Sequence, residues 1–244
     1  MVMTGPVLDP TYDPRSDGAM RDKGGARINP RHAATLIIVR RDGKKPRLLM
    51  GRRNGGHSFM PDKWVFPGGR VDRGDFTAPS ANDLKPDVAA KLALTLRHSS
   101  PQLPRALALA AIRETFEEAG LLLAKPALPR PGAGPWRPFL EAGALPDLSA
   151  LEYVARAITP PYRPKRFDAR FFMAEAENLL SLDRRPDCGE LDEIEWVDLD
   201  EALALDLPNI TRFVVAEIAE RLEKPERPIP FMRFLNGARR LEHL

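Results

Sequence analysis

Gly68-Gly69-Arg70-Val71-Asp72-Arg73-Gly74-Asp75 and Arg113-Glu114-Thr115-Phe116-Glu117-Glu118-Ala119-Gly120-Leu121 are the two segments on which the reading of this 244-residue chain turns. In the second, Glu114, Glu117 and Glu118 stand at i, i+3 and i+4, so on a helix their side chains share one arc and repel one another. Gly120 is the natural stop of that helix, which puts the three carboxylates in its last turns, at the negative end of the macrodipole. Each like-charge neighbour costs about 0.2–0.5 kcal/mol, and the dipole adds about 0.3–1 kcal/mol per exposed charge. A bound divalent cation reverses both penalties.

Leu109, Ile112, Phe116 and Ala119 occupy the opposite arc at a spacing that suits a buried stripe, which turns the glutamates toward a cleft or solvent. For the three glutamates alone, a solvated acidic face is the plainer reading. Arg113 and the glycine segment shift it toward a site. Clustered carboxylates that must also accept substrate phosphates suit a hard cation, Mg²⁺, with Mn²⁺ as its common substitute.

Upstream, Trp64-Val65-Phe66-Pro67-Gly68-Gly69 reads as a short strand running into a glycine turn. Without a Cβ, backbone amides and carbonyls there approach a metal or phosphate closely. Taken by itself, such a Gly-Gly is an ordinary hairpin turn.

Together the two segments resemble the Nudix hydrolase box: Gly, five residues, Glu, seven residues, then Arg-Glu-U-x-Glu-Glu-x-Gly-U, where U is apolar. Gly69, Arg113, Glu114, Glu117, Glu118, Gly120 and Leu121 match. Asp75 replaces the first glutamate and Thr115 stands at an apolar position. The spacer holds 37 residues where the pattern has seven. A box split at this point resembles the branch that includes the peroxisomal coenzyme A diphosphatase of animals. Phe59-Met60-Pro61, Val65 to Gly69, Ile158-Thr159-Pro160, Arg166-Phe167-Asp168 and Phe171-Phe172 add to that likeness, which runs from about Ala33 to Leu207.

The resemblance implies an α/β fold, a Nudix-type α/β/α sandwich with a mixed sheet and a helical insertion inside the box. It implies a pyrophosphohydrolase in which Glu114, Glu117 and Glu118 hold Mg²⁺ or Mn²⁺, with Asp75 as a weaker outer ligand and the Gly68 carbonyl as a further one. Arg113 would orient Glu114, where an ordinary helix ion pair makes the same contact. The general base would be one of these glutamates or an acid of Cys188-Gly189-Glu190-Leu191-Asp192-Glu193, Glu190 or Glu193. Arg53, Phe66, Gly68, Gly69 and Arg166 are the expected substrate contacts, since a diphosphate needs positive charge beside the glycine turn. Water attack would split a P–O–P bond and release two monophosphate esters. Coenzyme A or acyl-coenzyme A is the first substrate choice; NADH, ADP-ribose, another dinucleotide, and a non-catalytic nucleotide- or RNA-binding role are the alternatives.

Composition agrees without deciding anything. At 43% hydrophobic, 244 residues suffice for one domain with a sizeable core. The balance of 37 basic and 34 acidic residues, +3, is too slight for nucleic-acid binding over the whole surface. Arg184-Arg185 and Arg239-Arg240 read as solvated surface. No apolar run approaches a membrane span or a signal core, and Cys188 is the only cysteine, so the expectation is a reducing, cytoplasmic setting. Glu242-His243-Leu244 matches a peroxisomal tripeptide only in its last two residues.

The expected organisation is a flexible arm over 1–31, a domain over 32–224, an insertion at about 76–105, a helical excursion at about 126–165 and an extension over 225–244. The arm offers a means of wrapping a second copy into a homodimer. Strands are expected at Ala33 to Arg40, Arg47 to Arg53, Leu121 to Ala124, Arg170 to Ala176 and Glu193 to Asp198. Helices are expected at Asp87 to Ser99, from near Pro104 to Gly120, at Trp136 to Ala144, Leu148 to Ala157, Leu199 to Leu205 and Thr211 to Glu223, the last two capped by Asp200 and Thr211.

Overall fold

The computed structural model describes residues 28–53, 62–94, 100–161, 163–185, 191–235 and 238–244. The expected arm over 1–31, apart from its last residues, lies outside these, as do Phe59-Met60-Pro61 and Glu190.

In chain order the elements are β1 (Arg31–Arg40), β2 (Arg47–Arg53), β3 (Trp64–Val65), β4 (Gly68–Arg70), α1 (Pro86–Ala93), α2 (Leu103–Ala119), β5 (Ala124–Pro126), α3 (Arg137–Glu141), β6 (Ala144–Pro146), β7 (Glu152–Ile158), β8 (Phe167–Glu175), β9 (Leu191–Asp198), α4 (Leu199–Ala202), α5 (Asn209–Glu223), β10 (Pro230–Leu235) and β11 (Ala238–His243). The main sheet runs β11-β10-β7-β8-β1-β2-β3, with β4 also paired to β1 and β9 to β2. It is mixed: β1 pairs parallel with β8 and β10 with β7, while the other pairings are antiparallel.

Both faces of the sheet are covered, which is why β1 reads as a near-continuous apolar run with Leu36, Ile37, Ile38 and Val39 all fully buried. Ala34, Leu36 and Ile38 pack into one core with α1, α2 and α3; Ile37 and Val39 pack into a second with α4 and α5. This is the expected α/β/α sandwich. Residues Ala106 to Ile112 of α2 are inaccessible all round, so that helix is a buried strut instead of a surface amphipath. It stops at Gly120, whose φ of 72° is the left-handed C-cap and whose amide donates to the Phe116 carbonyl. Thr115, at the apolar position of the motif, satisfies its buried hydroxyl by donating to the Ala111 carbonyl at 2.9 Å.

Several expected elements differ. Leu148 to Ala157 is not helical: after a single turn, Glu152–Ile158 is strand β7. Tyr153, Val154, Ala155 and Ala157 are all buried there, so the strand faces apolar surroundings on both sides and loses the alternation that marks a strand in sequence. Residues 225–244 are not an appendage, because β10 and β11 form a hairpin that continues the sheet beside β7. Helix Trp136 to Ala144 shortens to α3, followed by β6, and strand Leu121 to Ala124 begins only at Ala124. Asp200 and Thr211 do not cap: the N-caps are Asp198 and Pro208, neither with a side-chain bond. Within the expected insertion, α1 ends at Ala93 and its buried Val88 and Leu92 join the core that α2 shares.

Candidate active site

The two motif segments meet at Arg113, which is only 4% exposed. Its Nε donates to Asp75 Oδ1 at 2.9 Å, and Nη2 to Asp75 Oδ2 at 3.1 Å and to the Arg70 carbonyl at 2.9 Å. Nη1 donates to Glu114 Oε1 at 2.8 Å and Glu117 Oε2 at 2.7 Å. Burial works against the guanidinium charge, but Asp75, Glu114 and Glu117 outweigh it and raise its pKa. Arg113 therefore ties the glycine segment to the acidic helix and fixes where Glu114 sits.

Asp75 does not stand as an outer metal ligand. It is fully buried, and its Oδ1 also accepts from the Trp136 indole at 2.9 Å while Oδ2 accepts from the Asp72 amide at 2.7 Å. With the two bonds from Arg113 that makes four donors, which fills the roughly four lone-pair positions of a carboxylate. Its role is to anchor Arg113 and to close the turn Arg73–Phe76, where the Asp72 side chain in return accepts from the Gly74 amide.

The glycines are required by contact. A Cβ on Gly69 would lie 2.4 Å from the Glu114 carboxyl carbon, and one on Gly68 would lie 2.5 Å from Thr35 Oγ1 and 2.7 Å from the Ala34 carbonyl oxygen. The Gly68 amide donates to Glu118 Oε2 at 2.8 Å, so backbone and helix share one wall. Burial, and then the nearby Glu117 against the opposing pull of Arg113, pushes the Glu114 carboxyl up to about 7.

Glu114, Glu118, Gly68 and Gly69 open onto a cavity of about 1030 Å³. Among the expected substrate contacts, Arg53, Phe66 and Arg166 line it as well. Arg166 is held by the Thr159 carbonyl at 3.1 Å and the Ile28 carbonyl at 2.6 Å. Glu117 is not among the lining residues; it is the acid closest bound to Arg113. Glu193 pairs with Arg52 at 2.6 Å on the surface and does not line the cavity either, while Glu190 lies outside the described residues.

Sequence reasoning placed the basic stretch Arg163-Pro164-Lys165-Arg166 with Arg170 near the glycine turn, of which Arg163 and Lys165 line the cavity beside Arg166, and it missed Arg31, Arg70 and Arg239. That basic stretch carried a signal, but the signal did not separate lining residues from structural ones. Arg170, in the same stretch as Arg166, is 1% exposed and donates to the Asp168 carbonyl, while Asp168 takes a bidentate pair from Arg156 at 2.8 Å and 2.8 Å. Arg184 and Arg185 close the C-terminal end of α2: Arg184 Nε donates to the Ala119 carbonyl and the Arg185 amide to that of Gly120.

Among the described residues no three His, Cys, Asp or Glu side chains converge as a metal centre. The donor chemistry of the cavity wall nonetheless fits a hard divalent cation. Glu114 and Glu118 present carboxylate oxygens beside glycine backbone, with no His or Cys side chain lining the cavity among the described residues, and Glu114 sits in surroundings that penalise its bare charge. No helix among the described residues is long and apolar enough to cross a membrane.

A mixed sheet between two helical layers, with a glycine turn facing an Arg-Glu-x-x-Glu-Glu helix across a cavity, defines a Nudix-type α/β protein. Comparison with known proteins agrees: the chain is similar to Nudix hydrolases in sequence and in fold. A solved Nudix hydrolase of Alicyclobacillus acidocaldarius is similar at 29% identity and a TM-score of 0.58, over 80% of this chain and 93% of that one. The acyl-coenzyme A diphosphatase NUDT19 of Gallus gallus is 32% identical over 178 residues, 52% of this chain and 47% of its own length. A Caenorhabditis elegans protein bearing a nudix hydrolase name is 28% identical over 190 residues, 71% of this chain and 55% of its own. The chain thus spans about half the length of the curated relatives it matches. No protein-family model matches it.

Proposed function

We propose that this chain is a divalent-cation-dependent pyrophosphohydrolase that cleaves the P–O–P bond of a nucleoside diphosphate joined to another moiety, with coenzyme A or acyl-coenzyme A as the substrate. The observation that carries the reading is one cavity wall built from Glu114, Glu118, Gly68 and Gly69, in a cavity otherwise rich in guanidinium groups. The coenzyme A choice is supported by the chicken relative's name.

Glu114 and Glu118 would hold Mg²⁺ or Mn²⁺, which supplies neutralisation of diphosphate charge and a more acidic water. The rest is the work of the chain. Gly68 and Gly69 let a phosphate lie against the backbone without a Cβ between them. Arg113 fixes Glu114, and the Gly68 amide fixes Glu118, so both acids are positioned before substrate arrives. Arg53 and Arg166 match phosphate oxygens through their forked donors. The water oxygen bonds to one phosphorus, the bridging P–O bond breaks, the departing phosphate keeps the bridging oxygen and its electron pair, and the water proton is lost to solvent. Two phosphate monoesters result.

The test is chromatographic product analysis after incubation with Mg²⁺ and, separately, coenzyme A, acetyl-coenzyme A, NADH, ADP-ribose and diadenosine polyphosphates. Adenosine 3′,5′-bisphosphate released from the coenzyme A samples alone is the expected result. Glu118→Gln should keep the fold, since its amide oxygen still accepts from Gly68, and lose at least about 100-fold in kcat. Cleavage confined to the other compounds would discard coenzyme A, and no cleavage of any of them would put the non-catalytic nucleotide- or RNA-binding reading first.

A further inference from the structure

The C-terminal hairpin supplies the far wall of the same cavity. Met232, Phe234 and Arg239 line it. Phe234 is the direct cross-strand partner of Arg239, and Met232 lies two residues before Phe234, so all three side chains share one face of the hairpin. The Arg239 guanidinium carbon lies 5.9 Å from the Phe234 ring centroid. The neighbouring Arg240 sits on the opposite face, paired with Arg233, and is not among the lining residues.

Between this wall and the glycine turn lies a low floor. Ala33, Ala169 and Ala157 are register partners across β1, β8 and β7, and Ala157 pairs in turn with Met232. Arg31 and Phe167 form the next lining row, again as register partners. The order β4-β1-β8-β7-β10-β11 gives five strand spacings, so Arg239 lies roughly 20–25 Å from Gly69 measured along the sheet. A diphosphate bound at Gly68 and Gly69 covers only one end of that span.

We infer that Phe234 and Arg239 are specificity-determining residues that seat a phosphorylated nucleoside on the non-reacting half of the substrate, with Phe234 as a platform for the base and Arg239 gripping a phosphomonoester remote from the scissile bond. An aromatic face next to a guanidinium fork fits that chemistry: the ring stacks on a base and the fork meets two phosphate oxygens. The cavity's cations match a ligand carrying more negative charge than a diphosphate diester. Lys165 and Arg163 line the cavity alongside Arg31 and Phe167, and among the described residues the only lining acids are Glu114 and Glu118, at the glycine end. The inference rests on the diphosphatase reading for the orientation of the substrate.

Calorimetric binding to the full chain separates the two. The probes are adenosine 3′,5′-bisphosphate and adenosine 5′-monophosphate, which differ only in the remote phosphate. Wild type should prefer the bisphosphate roughly 10- to 100-fold, the range expected for a charged hydrogen-bonded contact. Arg239→Ala should erase the preference by weakening bisphosphate binding alone, Arg239→Lys should restore part of it, and Arg240→Ala should leave it intact. Phe234→Ala should weaken both probes by a similar factor. Equal binding of the probes by wild type, binding of neither, or a preference that survives Arg239→Ala overturns the assignment. If the preference is present and lost as described but coenzyme A is not turned over, the hydrolase reading fails and the nucleotide seat stands.

Discussion

Arg113 grips Asp75 through two bonds, Nε to Oδ1 at 2.9 Å and Nη2 to Oδ2 at 3.1 Å, across 37 intervening residues. Because both groups are buried, the pair locks the glycine segment to α2 and keeps the cavity wall in one piece. The same carboxylate holds the Trp136 indole, so the segment before α3 is fastened to the site as well.

Replacing Asp75 by Asn should therefore act on stability as much as on turnover. It removes one acid partner of the buried Arg113, which keeps Glu114 and Glu117, and a change of that kind costs about 1–3 kcal/mol. Urea unfolding followed by Trp fluorescence should show the midpoint falling accordingly. A midpoint unchanged from wild type would mean that Arg113 does not depend on Asp75.

The two glycines should fail differently. In Gly69→Ala the new methyl meets first the carboxyl end of Glu114, the far end of a side chain, so stability should hold within about 1 kcal/mol while the displaced acid costs at least about 100-fold in kcat. In Gly68→Ala the methyl meets the Ala34 carbonyl oxygen, which is backbone, and about 1–3 kcal/mol of stability should go with the activity. Thermal melts and initial rates on both variants check this; equal melting losses would contradict the contact argument.

Acid should loosen the insertion through Asp147. Burial opposes its ionisation, but bonds from Lys125 Nζ at 2.7 Å, Ser149 Oγ at 2.7 Å and Asn82 Nδ2 at 2.8 Å outweigh burial and hold the carboxyl below its ordinary 3.8. A depressed carboxylate contributes its full stabilisation above its unfolded-state pKa and loses it as pH falls through the lower folded value. Wild type should thus lose stability more steeply than Asp147→Asn between about pH 4 and pH 2 in urea titrations. Parallel pH curves for the two proteins would remove Asp147 from the account.

Much of the site was legible in local spacing. Glu114, Glu117 and Glu118 share an arc because of helical periodicity, and Gly120 stops the helix because it alone tolerates φ of 72° without strain. Spacing could not say how those acids divide: Glu114 and Glu118 face the cavity, while Glu117 is recruited by Arg113. The basic clusters were equally visible, yet Arg166 lines the cavity and Arg170, four residues on, is buried against Asp168. Successive strand residues alternate faces, but which face becomes cavity depends on what packs over each.

The sequence by itself determined the elements whose signal is local: the apolar run of β1, the periodic stripe and glycine stop of α2, and the glycine turn before it. Tertiary structure alone decided the role of Asp75, the strand nature of β7 and the place of β10 and β11 in the cavity wall. Asp75 is saturated by donors from Asp72, Arg113 and Trp136, two of which are distant in sequence. β7 is buried on both faces and so carries no alternation, and the hairpin reaches the site only through its parallel pairing with β7. Each of these depends on which segments pair across the chain, and that pairing is settled by the burial and hydrogen bonding of the whole fold rather than by the spacing of near neighbours.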